Sequence, residues 1–130
     1  MVLEQQARSR LATVRLRPRG TDAGGVIVDL LFSSSGIEPE LAVAAERILL
    51  LGETSLPVAR TGHLIALKVL ARDDRNRPQD HDDLLALLPV ASPADLDQAR
   101  AALALIQARG YQRGKDLQRE LDSLTTKQPK

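Results

Sequence analysis

HLIALKVLARDDRNRPQDHDDLLALL, running from His63 to Leu88, decides how this chain is read. Its first half is an apolar helical pattern with Lys68 in the middle, and its second half opens on Asp80, His81, Asp82 and Asp83. A buried ammonium without a partner is strongly unfavourable, so Lys68 either snorkels from a surface stripe or belongs to a site that supplies an anion. Pro78 biases Arg77 away from the helical region and splits the stretch in two. One helix, capped by Thr61, is expected to end near Asp73, and another to run from about Asp80 to Leu88.

Working upstream, Leu11 to Arg17 alternates apolar and polar residues and Val26 to Phe32 is rich in β-formers, with Gly20, Asp22, Gly24 and Gly25 between them. This predicts an antiparallel hairpin with a long loop, whose second strand, apolar on both faces except at Asp29, is expected to be central and covered on both sides. After a Ser-Gly loop, Glu38 to Glu46 reads as a short helix, with Arg47 to Leu51 and Leu56 to Ala59 as extended segments about a turn at Gly52. Downstream, Ser92-Pro93-Ala94-Asp95 combines a Ser cap, Pro at the first helical position and an acid at the third, predicting a helix to Arg109 stopped by Gly110. A last helix from Gly114 to Leu124 aligns Leu117, Leu121 and Leu124 on one face.

Strands therefore come first and helices after, which is an α+β pattern: a small mixed sheet with an N-terminal hairpin, then a C-terminal helical subdomain. A chain of 130 residues with 43% hydrophobic content suits a single domain, with the sheet-containing part over 10–60, the helical part over 61–124 and a disordered tail over 125–130.

Composition excludes several function classes. Eighteen basic and 17 acidic residues give a net charge of +1, so no whole-molecule field steers a polyanion. Phe32 and Tyr111 are the only aromatic residues, which gives a nucleic-acid partner such as tRNA no stacking support. Cysteine is absent, removing disulfides and thiolate metal sites. No window approaches the roughly 20 apolar residues of a membrane span and no signal peptide is visible, so a cytoplasmic location is expected.

Three groups of residues bear on chemistry. On a continuous helix Lys68, Arg72 and Arg75, spaced four and three apart, share one side, which is either a phosphate-binding face or a solvated basic stripe. Asp80 and its neighbours suit a helix N-terminus, where acids cap amides and favour the dipole; adjacent positions do not converge on one metal ion. Asp29, a carboxylate within an apolar strand, must pair with a cation, accept hydrogen bonds or bind a metal.

Taken together, LATVRL, then VDLLFSSSGIEPE, then LPVARTGHLIALKVLARDDRNRPQDHDDLLAL resembles the later portion of bacterial nucleotidyltransferase-like proteins of the DNA polymerase β superfamily, of the abortive-infection and toxin–antitoxin type. The resemblance implies a truncated form of that fold, Asp29 as the third magnesium-binding acid, Lys68 as the lysine that contacts nucleotide phosphates and Asp80, with Asp83 behind it, as the acid of the following segment. Arg72, Arg75 and Arg77 fall at variable basic positions of that segment, of which Arg72 and Arg75 are assigned to phosphate binding. It also implies magnesium and a nucleoside triphosphate as ligands, and catalysis through Asp29, Lys68 and Asp80.

The family's Gly-rich loop and Asp-x-Asp strand are not matched here, so two of three metal-binding acids are missing and the chain is expected to be inactive alone. It is then a fragment, a natural short form, or half of a site completed by another polypeptide. The sheet edge left by the unmatched strands predicts a homodimer or a heteromeric partner. The alternative function is a non-catalytic interaction or assembly module in which the same charges form a structural ion-pair network.

Overall fold

The computed structural model describes residues 2–7, 10–16, 28–31, 34–49 and 52–126. The protein has a mixed α+β fold and divides into two compact units, Met1–Ser34 and Ser35–Lys130. The extended segments around Gly52, counted from sequence with the sheet-containing part, fall in the second unit.

The first unit is an antiparallel sheet of β1 (Val2–Ala7), β2 (Arg10–Leu16) and β3 (Val28–Leu31) in that spatial order. The expected hairpin is present, with Thr13 opposite Leu31 and Leu16 opposite Val28. Two expectations change. The sequence offers weak β-formers at Glu4, Gln5 and Gln6, and β1 nevertheless forms by pairing along β2, Val2 facing Leu16. The register slips by one between Gln5 and Gln6, a β-bulge that leaves Ala12 unopposed. Consequently β2 is the middle strand and the strand bearing Asp29 flanks it. The Gly20–Gly25 loop, Arg17 and Phe32 lie outside the described residues.

The second unit begins at a turn that Glu38 closes, its carboxylate accepting from Ser35 N and Oγ, both at 2.8 Å, and from Gly36 N at 3.0 Å. Then come α1 (Glu38–Ala44), a hairpin of β4 (Glu46–Leu49) and β5 (Ser55–Val58), α2 (Thr61–Ala71), α3 (Pro78–Leu87), a 3-10 turn over Leu88–Val90, α4 (Pro93–Ala108) and α5 (Leu117–Thr126). Thr61 is not the cap of α2 but its first helical residue. Arg60, with extended backbone at ψ 154, takes the cap position, and its guanidinium donates to Ala44 O at 2.6 Å and Glu46 Oε1 at 2.5 Å.

The core of this unit is aliphatic. Ile65, Ala66 and Val69 of α2 are fully buried, with Leu84 of α3, Leu103 and Ile106 of α4, and Leu117 and Leu121 of α5. Each large side chain of this kind contributes about 1.5–3 kcal/mol by leaving water. The Leu117, Leu121 and Leu124 stripe is buried as its spacing implied. At Ser92 the expected start of α4 is a full capping box: Asp95 N donates to Ser92 Oγ at 3.1 Å while Ser92 N donates to Asp95 Oδ2 at 2.9 Å. Gly36, at φ +82, leaves room for the ring of Tyr111, which a β-carbon there would meet at 2.7 Å. No helix among the described residues is long and apolar enough to cross a membrane.

Candidate functional site

Lys68 lies in the last turn of α2. The helix stops at Ala71, where the Arg72 N–H still reaches Lys68 O, and Asp73 organises the turn that follows. Its Oδ1 accepts from Arg75 N at 3.1 Å and Asn76 N at 3.3 Å, and its Oδ2 accepts from the Asn76 side-chain amide at 2.9 Å. A side chain that captures the amides two and three residues on in this way competes with continued helix, so α2 cannot run on through Arg75. The same bonds, chiefly that of the Asn76 side chain, hold the Asp73 carboxyl below its ordinary pKa.

Pro78 then begins α3, which places Asp80 in its first turn and Asp83 three residues on, on the same side. Asp80 is sealed, with 1% of its surface exposed. Its Oδ1 lies 3.1 Å from Lys68 Nζ, and its Oδ2 lies 3.2 Å from Arg77 Nε, within ion-pair reach although not aligned for a hydrogen bond. Asp83 Oδ2 approaches Lys68 Nζ from the outside at 2.7 Å. The hydrogen bond that Lys68 donates to Asp83 raises the Lys68 pKa above the usual lysine value, against the opposing effect of burial, and Asp80 adds to the rise. Two cations and two carboxylates thus share one cluster, where α2 ends and α3 begins.

The helix end that carries Lys68 is closed from a distant part of the chain. Lys115, just before α5, donates its ammonium to the carbonyls of Leu70 at 3.0 Å and Val69 at 3.5 Å, and also to that of Arg72. These are the unsatisfied acceptors of a helix C-terminus, where a cation is also favoured by the dipole.

The remaining site residues fall elsewhere. Arg72 turns to Asp74 in a two-pronged pair, Nε to Oδ1 at 2.8 Å and the terminal nitrogen to Oδ2 at 2.9 Å, which lowers the Asp74 pKa. Arg75 is exposed in the turn. The cationic face of Lys68, Arg72 and Arg75 therefore does not form, because the helix that would align them ends before two of them. Asp29 belongs to the first unit, its backbone opposite Arg15 in the β2–β3 pair, and its side chain lies outside the described residues.

Magnesium does not fit this cluster. A hard divalent ion takes oxygen ligands that are free to turn to it, whereas both Asp80 oxygens face nitrogen cations and the Asp83 oxygen nearest the cluster faces Lys68. Among the described residues no three of His, Cys, Asp or Glu come together as a metal-binding group.

Sequence reasoning selected Lys68 and Asp80, set Arg77 among the variable basic positions without pairing it to Asp80, and passed over Lys115. Arg77 had a local signal, standing three residues before Asp80 at ion-pair spacing. Lys115 had none, since its partners lie more than forty residues back in the chain. No family model matches the chain, and no curated protein matches it significantly.

Proposed function

We propose that the chain is a nucleotidyltransferase-like domain that binds the phosphates of a nucleoside triphosphate through Lys68, and that binding, not turnover, is what it does alone. One observation carries this reading. Lys68 and Asp80, the helical residues picked out by the resemblance, lie on different helices and yet meet at 3.1 Å, the acid sealed and the lysine side chain 26% exposed. Asp80 fixes the ammonium in position, and its other carboxylate partner, Asp83, is half-exposed, so the solvent side of the cluster is where a ligand would approach. Arg77, 63% exposed beside Asp80, supplies a second cation within the same cluster.

Calorimetric titration with each nucleoside triphosphate tests it, comparing the native chain with Lys68→Ala and Asp29→Asn. The expected outcome is saturable binding that Lys68→Ala weakens about tenfold, the scale of a charge-assisted hydrogen bond. Binding that is absent, or unchanged in Lys68→Ala, removes the reading.

A second reading, a non-catalytic interaction module, is favoured by two observations. The four charges of the cluster cancel, as in a structural clasp between α2 and α3. In addition, Ile48, Leu56 and Val58 share one face of the β4–β5 hairpin and remain exposed. Under this reading Lys68→Met lowers the melting temperature while no triphosphate binds to either form.

A further inference from the structure

The two acids on Lys68 are not equivalent. Asp80 makes the longer contact at 3.1 Å, but its side chain is 2% exposed and its second oxygen faces Arg77. Withdrawing it would strand a buried carboxylate without its cation, which is strongly unfavourable. Asp83 makes the shorter contact at 2.7 Å, yet its side chain is 49% exposed. Rotating it into water exchanges one solvated ion pair for hydration, and such pairs contribute little.

We infer that Asp83 is a displaceable counter-ion, an internal plug that occupies the anion position on Lys68 until a polyphosphate takes its place. This rests on the phosphate reading of Lys68. With Asp83 in place the cluster is neutral; with Asp83 turned away it holds Lys68 and Arg77 against Asp80 alone and carries a single positive charge. Asp80 keeps the ammonium oriented in both states, so the site opens without the lysine moving. Because an incoming anion must outcompete a carboxylate that is already tethered three residues from Asp80, a monoanion gains nothing by the exchange. A di- or triphosphate, which can reach Lys68 and Arg77 together, gains both contacts. The ligand class is therefore the polyphosphate moiety of a nucleotide, with the base outside the recognition.

Sodium tripolyphosphate, free of divalent metal, is the probe. It is titrated calorimetrically into the full chain, Asp83→Asn, Asp83→Ser, Lys68→Ala and the double variant Lys68→Ala/Asp83→Asn, with circular dichroism confirming the fold of each. The expected result is binding about fivefold tighter or more in both Asp83 variants than in the native chain, the scale of one exposed ion pair, and loss of that gain in the double variant. Equal binding in the native chain and both Asp83 variants, with Lys68→Ala weaker, overturns the plug and leaves Lys68 as an anion site. Absence of binding in every form, or binding indifferent to Lys68, overturns the plug together with the phosphate reading.

Discussion

Gly62 stands directly against Asp95: a β-carbon on Gly62 would lie 2.5 Å from the Asp95 carbonyl oxygen. The first turns of α2 and α4 therefore touch at backbone level, and Gly62→Ala must push one helix off the other. Overpacking of this kind costs about 1–3 kcal/mol. Urea denaturation should show a midpoint lowered accordingly, and removing the neighbouring Gln98 side chain should not restore it, because the nearest obstruction is main chain.

The two acids on Lys68 should separate in a stability measurement. Asp80→Asn leaves a partly buried ammonium and the Arg77 guanidinium without their shared carboxylate. A fully buried pair broken this way costs about 3–5 kcal/mol, and the surviving Asp83 contact brings the expectation to about 2 kcal/mol. Asp83→Asn, at a half-exposed position, should change stability by no more than about 1 kcal/mol. Equal losses in the two variants would contradict the geometry.

Ser92→Ala removes the side-chain half of the capping box at the start of α4. A cost of about 1 kcal/mol is expected, with Ser92→Asp close to native because its carboxylate can accept from the same Asp95 amide. Thermal denaturation of the three forms is sufficient to check it.

His63 should make stability depend on pH. Burial pushes its pKa below the ordinary value of 6.5, with nearby Arg60 adding to the fall and Glu40 opposing it. The unfolded chain then binds a proton more readily than the folded one. The contribution from neutral His63 is complete above about pH 6.5 and is lost as the pH falls from there toward the lower folded value. Melting temperatures should decline between pH 7 and pH 5, and His63→Asn should flatten that part of the profile. Glu40, whose pKa is held down by its hydrogen bond from Arg109, adds its own loss only in more acidic solution.

Local spacing made some of this architecture readable. The Ser92 cap, the Pro93 start and the Leu117, Leu121 and Leu124 stripe follow from neighbours within one or two turns, and they fold as their patterns imply. The α+β order was legible for the same reason. What escaped was decided by competition or distance. Asp73 ended α2 by taking the next amides for its own side chain, which dispersed a cationic face that helical spacing alone had assembled. The strand β1 depends on ladder pairing with β2, not on its own residues, and its presence moved Asp29 from a middle strand to a flanking one. Family resemblance picked out Lys68, Asp80 and Asp83, while the pairing of Asp83 with Lys68 and of Arg77 with Asp80 depends on α3 starting at Pro78 and packing beside the end of α2.

The Lys115 ammonium has a practical bearing on how the protein can be dissected. A piece comprising α2 and α3 would contain Lys68, Arg77, Asp80 and Asp83, and would still lack the group that closes the helix end beneath them. Excising the charged hairpin as a peptide therefore yields the right residues on a fraying scaffold, and the shortest segment suited to studying them must extend through Lys115 and the α5 leucines that anchor it.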